Sequence, residues 1–397
     1  MNGTRIINGI VGGLLLLANA PLASANGFYI PVQAPEATGR GNAWLATADT
    51  AAAVYYNAAG LTQLSDSSLS VGVYSVRLGI EAETASGNND NDASWTLIPQ
   101  IYAAMPVTED TVLGFGLNTP FGLATSWPDQ SQFRQLSIDT ELQYVTAWFV
   151  AAHKLTDTFS VGGGFGIHRA DADITQGIGF APSTDRLRFE GGGEALSWTV
   201  SARWEPCERH VFGAVYRSKS DFNLKGDANT RLGLLTISES ASLDFITPAT
   251  AGLGYAYRPN SDWIIEANLE WVNWDELNDL TLSKSQTGPA VLPFRWKSNF
   301  IYSAGVTRFF NNGWNVSAGY NYIENSQPDT TFIPGISDAD RHWINVGVGR
   351  KYESMEWNFA YQYAFSDRTV SGSPFGMADG KYKSRFHGLM LNCRWAF

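Results

Sequence analysis

The sequence predicts an all-β fold: a 14-stranded antiparallel transmembrane β-barrel with an N-terminal plug (hatch) inside the lumen. Three observations carry that prediction. The chain of 397 residues is only 16% charged but 13% aromatic, with 39 glycines. Such a composition drives association in water and suits an outer surface that faces lipid. No apolar run after residue 25 is long enough for a transmembrane helix, and only helices and closed barrels satisfy every backbone group in lipid. Strict alternation recurs along the chain, which is the period of a strand with lipid on one side and a polar lumen on the other.

The elements follow in order. Arg5 opens a weakly positive region, residues 6–18 are apolar, and Ala23-Ser24-Ala25 fits a small-residue cleavage site, as in a secretory signal. The apolar run falls short of the ~20 residues a spanning helix needs. Residues 1–25 are therefore expected to be a signal peptide, 26–68 a hatch and 69–397 the barrel, in a bacterial outer membrane. Residues 26–64 have almost no strand pattern and carry charge only at Glu36, Arg40 and Asp49.

Strands are expected at about 69–83, 94–106, 111–118, 138–154, 158–174, 187–205, 209–224, 241–258, 262–275, 295–310, 313–326, 340–352, 355–368 and 381–396. Their alternation is plainest where Leu196, Trp198, Val200, Ala202 and Trp204 interleave with Ser197, Thr199, Ser201 and Arg203. It is equally plain where Trp263, Ile265, Ala267, Leu269 and Trp271 interleave with Glu266, Asn268 and Glu270, and along Trp314 to Tyr322. Even-numbered strands end in short turns such as Leu155-Thr156-Asp157 and Asn311-Asn312. Odd-numbered strands lead into longer segments, among them 84–93, 119–137, 225–240, 276–294 and 369–380. Short periplasmic turns opposite long outer loops are the habit of outer-membrane barrels. Leu389, Leu391, Cys393, Trp395 and Phe397 share one face of the last strand, resembling the C-terminal signal that barrel assembly machinery reads.

A barrel of this size has a lumen wider than its own side chains can fill, so it holds water, a plug or a ligand. Two cysteines, Cys207 and Cys393, are too few for a disulfide framework. A net charge of -11 disfavours nucleic acid.

The segment before the first strand, GFYIPVQAPEATGRGNAWLATADTAAAVYYNAAGLTQL, resembles the N-terminal hatch of the FadL/TodX family of outer-membrane transporters of hydrophobic compounds. The likeness rests on Gly27-Phe28, Gly39-Arg40-Gly41 and Asn57-Ala58-Ala59-Gly60, with Ala58 where the family usually has proline. It continues at Pro120-Phe121-Gly122-Leu123-Ala124-Thr125, at Pro248-Ala249-Thr250 leading into Gly252-Leu253-Gly254-Tyr255, and at Ile336 to Trp343. The resemblance implies passive uptake of long-chain fatty acids or other hydrophobic compounds, aromatic hydrocarbons included. It implies capture at outer loops, passage past a plug and lateral release through a gate near the third strand. It also implies a monomer without cofactor, surrounded by outer-membrane lipid and lipopolysaccharide.

Candidate residues follow. Ile178 and Phe180 in one outer loop, and Leu232, Leu234, Leu235 and Ile237 in another, are candidates for a capture groove. Phe28 is expected in the pocket, as the family's early phenylalanine is, and Asn57 is expected to latch a turn near the gate. Asn118, Thr119, Pro120, Phe121 and Gly122 end the third strand, and proline is confined to edges or bulges of a sheet. A break in pairing is therefore expected there, with a gate near this strand whose kink falls there or earlier, around Gly114 and Gly116. A carboxylate ligand needs a cation, and parity offers Arg77, Arg203 and Arg394 in the lumen, each competing with pairing to an interior acid such as Asp139, Glu141 or Glu266.

Two other classes compete. An outer-membrane lipase needs serine and histidine, but the five histidines have no triad setting, and neither a G-x-S-x-G elbow nor an H-E-x-x-H helix occurs. A general porin or adhesin has no need of a plug. The acidic run Asn88 to Asp92 lacks an EF-hand pattern and reads as a solvated loop, and Gly162-Gly163-Gly164 lies within a strand, so it is no phosphate loop.

Overall fold

The computed structural model describes residues 27–180 and 183–397, so the expected signal peptide lies outside the described residues. Among the described residues twenty strand segments run in chain order: β1 (Ser68–Thr84), β2 (Gly87–Asp90), β3 (Thr96–Pro106), β4 (Thr111–Asn118), β5 (Leu123–Ser126), β6 (Asp139–Thr156) and β7 (Phe159–Gly177). They continue with β8 (Arg186–Cys207), β9 (His210–Arg217), β10 (Ser220–Leu232), β11 (Leu235–Thr247), β12 (Thr250–Asn260) and β13 (Trp263–Val272). The last are β14 (Asp279–Lys284), β15 (Ala290–Pro293), β16 (Asn299–Phe309), β17 (Trp314–Ile323), β18 (Arg341–Tyr352), β19 (Met355–Val370) and β20 (Gly380–Ala396).

These segments make a closed antiparallel barrel of fourteen strands. Six of the fourteen are interrupted: β2 with β3, β4 with β5, β9 with β10, β11 with β12, β13 with β14, and β15 with β16. Closure is made by β20 on β1, from Ser68↔Ala396 to Thr84↔Gly380.

Burial follows the alternation. On β8, Leu196, Trp198, Val200 and Trp204 are exposed on the outer face while Ser197, Thr199, Ser201 and Arg203 are buried inside. Leu196 to Trp204 spans nine residues, about what a tilted strand needs to cross the hydrocarbon core. Further up the same strand the outward positions become Arg188, Glu190 and Glu194, so the apolar band ends near Leu196.

Strands run further than the sequence suggested. Residues 225–240, expected as a loop, form most of the β10–β11 hairpin in unbroken register from Ser220↔Thr247 to Leu232↔Leu235. Within 276–294, β14 and β15 pair, and Asn88 to Asp90 pair with the end of β1 rather than forming a solvated loop. Polar residues can extend a ladder into water, since no apolar band is needed there.

Residues 27–64 form no barrel strand. They contain two short helices, α1 (Pro35–Gly39) and α2 (Ala53–Tyr56), and a 3-10 turn at Ala58–Gln63. Pro35 starts α1 with its φ already fixed. The Asn57 side chain caps the 3-10 turn by accepting from the Ala59 amide at 3.1 Å. The segment is buried almost throughout, and its contacts fall on inward-facing residues: Glu266, Asn268 and Glu270 of β13, Ser201 of β8 and Asn321 of β17.

Gly114 and Gly116 serve this contact. A Cβ on Gly114 would lie 2.6 Å from Val54 Cγ2, and one on Gly116 would lie 2.9 Å from Val54 Cγ1. Both glycines are paired on each side, with Ala104 and Val150 and with Tyr102 and Trp148. β4 stays paired on both sides through the two glycines, which make room for Val54.

Candidate functional site

The wall is broken on the chain that follows β4. Pairing of β3 with β4 ends at Ile101↔Leu117, and β5 pairs with β6 but not with β3. Residues 119–122 between them turn to the N-terminal segment instead. The Ile30 amide donates to the Pro120 carbonyl and the Gly122 amide to the Phe28 carbonyl, each at 2.8 Å, around a Tyr29↔Phe121 bridge. The backbone groups released by the wall are therefore satisfied from within, as burial requires. Asn118, the last residue of β4, still pairs with Thr146.

Gln33 holds the break, and nothing in the sequence marked it. Its side-chain amide donates to the carbonyls of Ile30 (2.8 Å) and Thr119 (2.9 Å), and its carbonyl oxygen accepts from the Thr119 amide at 3.3 Å. Its own backbone is fixed by Tyr56, whose hydroxyl accepts from the Gln33 amide at 2.7 Å, and by Tyr102, whose hydroxyl donates to the Gln33 carbonyl at 3.0 Å. Asn57, expected near the gate, is elsewhere. It donates to the carbonyls of Leu45 (2.7 Å) and Ala202 (3.0 Å), so its partner in the wall is β8. The Ala59 amide joins it there through Ser201 Oγ at 3.0 Å, and Ala58 and Gly60 are buried beside it.

An aromatic series leads from the interior to the break. Phe28 meets Trp274 edge to face at 4.7 Å, Phe245 at 5.2 Å and Phe121 at 6.0 Å between ring centroids. Phe121 continues to Tyr144 at 5.2 Å. These separations are those of favourable aromatic pairs. Beside Phe28 lies a cavity of about 40 Å³ lined by Leu123, Leu142, Ile174, Leu243, Phe245, Leu280 and Phe294 among others. A cavity of about 110 Å³, lined by Leu187, Phe189, Leu282, Val291 and Leu292, shares Ile174, Leu243 and Leu280 with it. Two hollows of about 540 and 550 Å³ lie among the outward residues of β8, β9, β12 and β13 and face lipid.

The expected capture residues divide. Ile178 packs on the interior cluster. Phe180 is exposed, and Leu232, Leu234 and Leu235 stand exposed at the tip of the β10–β11 hairpin beside the half-buried Ile237. None of the six lines either interior cavity.

The arginines also divide. Arg77 is exposed on the outer face of β1, and its Nε donates to the Ala93 carbonyl at 3.0 Å, which corrects its expected lumen position. Parity misleads there because the upper lumen is itself apolar: Tyr74, Val76, Leu78 and Ile80 point inward. Asp139 and Glu141 likewise sit on the outward side of β6, alternating with the buried Leu142 and Tyr144. Arg203 and Arg394 do face inward, bonded to Glu205 and to Glu356, its direct cross-strand partner. Arg217, missed by the sequence reading, donates to the Tyr56 carbonyl at 3.1 Å and to that of Tyr55, and lies 4.4 Å over the Tyr55 ring.

Catalytic and metal chemistry find little support. Among the described residues, His168 Nε2 meets Ser197 Oγ at 2.6 Å, but its Nδ1 meets the Thr146 hydroxyl at 2.9 Å. A triad places a carboxylate there to stabilise the imidazolium. Among the described residues no group of three His, Cys, Asp or Glu side chains gathers as a metal site. Cys207 and Cys393 are free.

A closed barrel of fourteen antiparallel strands with an apolar outer face is the architecture of an outer-membrane protein. The chain belongs to the family described as outer membrane protein transport protein (OMPP1/FadL/TodX), which matches residues 16–395. A long-chain fatty acid transport protein of Salmonella typhi is 20% identical over 378 residues, covering 85% of this chain and 87% of its own. The crystal structure of a Pseudomonas aeruginosa FadL homologue superposes with a TM-score of 0.83 at 20% identity, covering 94% of this chain and 100% of that one. The Pseudomonas putida toluene transporter TodX gives a TM-score of 0.76 at 16% identity, covering 94% of this chain and 100% of that one. The protein is thus a bacterial outer-membrane barrel of a transporter family, and not an enzyme.

Proposed function

We propose that this protein admits hydrophobic small molecules, fatty acids or neutral hydrocarbons, through the outer membrane without an energy source. The observation that carries the reading is the wall break at 119–122, closed from inside by Phe28, Ile30 and Gln33 at the end of an aromatic-lined interior. A hydrophobic solute is poorly served by a water-filled pore and needs an apolar path with a few polar groups to orient it. In this reading residues 27–64 are the hatch. The solute enters past Leu187, Phe189 and Val291, reaches Phe28, and leaves sideways into the bilayer where β4 gives way to β5. Names of relatives as transporters of long-chain fatty acids and of toluene support the solute class. Barrel assembly machinery and surrounding lipopolysaccharide are the partners this location entails, and the protein works as a monomer.

The test locks the hatch to the break. In a Cys207→Ser, Cys393→Ser background, Gln33→Cys with Thr119→Cys is oxidised, and uptake of radiolabelled oleate and toluene is followed in cells lacking their own channels. Uptake should fall on oxidation and return with dithiothreitol. Uptake indifferent to a disulfide verified by mass spectrometry would remove the break from the route.

A further inference from the structure

We propose that the wall break carries a polar subsite, built by Trp148, Tyr144 and Arg217, that receives one uncharged oxygen of an aromatic solute, a phenolic hydroxyl or a ring-borne carbonyl; this rests on the transport reading above. The site is the cavity of about 20 Å³ beside Phe121, whose lining includes these three side chains together with Ser220 and Thr247. Its wall is far more polar than that of the two cavities near Phe28.

The donors there exceed their acceptors. Among the described residues, Trp148 Nε1 is buried and meets no hydrogen-bond partner. The Tyr144 hydroxyl is buried and likewise closes no hydrogen bond, with the hydroxyls of Ser220 and Thr247 standing near it. Arg217 adds a third group. Of its five N–H donors, Nε and Nη2 serve the Tyr55 carbonyl, Nη2 also that of Tyr56, and Nη1 serves Thr250 Oγ1 at 3.3 Å, so one Nη1 hydrogen is left over. His168 lines the same cavity but adds no fourth, since its ring nitrogens are bonded to the hydroxyls of Thr146 and Ser197. A buried donor without an acceptor costs stability, and three that line one small cavity point to an oxygen that satisfies them.

Volume and charge select the kind of oxygen. A water-sized atom needs about 10–15 Å³, so a cavity of about 20 Å³ admits one oxygen and not the two of a carboxylate. Arg217 has a single N–H to give, where a paired grip on a carboxylate takes two. The Glu270 carboxylate accepts at 2.6 Å from Tyr29, another lining residue, and would repel a second anion. The ring of the solute is guided by Phe121, whose centroid lies 6.0 Å from that of Phe28 on one side and 5.2 Å from that of Tyr144 on the other. A ring lying along Phe121 thus brings its substituent to Tyr144 and Trp148.

The experiment compares three solutes that share one ring, toluene, p-cresol and p-toluate, by titration calorimetry on the purified barrel in detergent. The pH is 7, where a phenol stays uncharged, and partition into protein-free micelles is subtracted. The affinity for p-cresol should exceed that for toluene about tenfold, and p-toluate should bind no more tightly than toluene. Trp148→Phe keeps a ring but removes the Nε1 hydrogen, and Tyr144→Phe removes the hydroxyl. In whichever variant folds, the advantage of p-cresol should shrink to about threefold or less. Equal affinity for toluene and p-cresol would overturn the inference, as would p-toluate binding tightest or an advantage of p-cresol that survives whole in a folded variant. Absence of binding by all three would overturn it too, while the transport reading stands or falls separately on uptake through the disulfide-locked break.

Discussion

The Tyr29 hydroxyl donates to the Glu270 carboxylate at 2.6 Å, joining the start of the N-terminal segment to the inner face of β13. Both side chains are buried, and Tyr55 adds its own hydroxyl to the group at 3.1 Å from that of Tyr29. Burial, together with the neighbouring Glu270 charge, raises the Tyr29 hydroxyl well above its ordinary pKa, so it remains a donor at any physiological pH. Tyr29→Phe leaves Glu270 buried without this partner. The expected cost is about 1.5–3 kcal/mol, the usual range for a hydrogen bond to a charged group. Urea unfolding of the refolded barrel in detergent measures it, and an unchanged midpoint would show that the bond contributes nothing.

Gln33 makes a different prediction, because its side chain bonds the break rather than a continuous strand. Gln33→Ala removes the acceptor of the Thr119 amide and the donor to the Thr119 carbonyl. The β3–β4 and β5–β6 ladders do not involve it, so the barrel should still form. Local opening at the break should become easier by about 1 kcal/mol per lost bond. Hydrogen exchange of a peptide covering 117–123 should accelerate in the variant while β7 and β8 stay protected. Equal acceleration everywhere would mean global destabilisation instead.

What the sequence made legible depended on what each residue had to face. On β8 and β13 the lipid side is apolar and the lumen side polar, so alternation alone assigns Trp198 and Leu269 outward and Ser201 and Glu266 inward, as the structure has them. Higher up the contrast inverts: Val76 and Leu78 point inward around an apolar chamber while Arg77 and Glu141 stand outside, so the same rule misplaces them. The break at 119–122 carried a signal in Pro120. Its clasp carried none, since a lone glutamine between apolar residues has no pattern to betray its two carbonyl partners 86 and 3 residues away.

Glu36 predicts a pH dependence. Burial pushes its carboxyl up from 4.5 to about 7, against the opposing pull of Arg394 and of Asn392, which donates to it at 2.9 Å. A folded-state value above the unfolded one means the folded form binds the proton more tightly. The contribution is thus fully present below about 4.5 and is lost as pH rises through about 7. Docking of residues 27–64 should accordingly loosen between pH 5 and 8. Limited proteolysis of this segment in the detergent-solubilised barrel would show faster cleavage across that window, and Glu36→Gln should flatten the profile. A wild-type profile already flat would contradict the assignment.

The close approach of α2 to β4 supplies a prediction with its own control. Gly114 faces inward where Val54 and Leu61 would stand 2.6 and 2.8 Å from an added Cβ, with Val150 Cγ2 at 2.9 Å. Real Cβ atoms do not tolerate such distances, so Gly114→Val must push the N-terminal segment off the wall. Overpacking of this kind typically costs about 1–3 kcal/mol. The paired rungs on both sides of Gly114 hold the strand, so the segment should yield before the barrel does. Val54→Ala removes the nearer of the two segment side chains and should recover part of the loss, giving a favourable coupling in a double-mutant cycle. If Gly114→Val costs as much with Ala at 54 as with Val, the glycine is needed for β4 itself, and the packing of Val54 is not what its missing side chain serves.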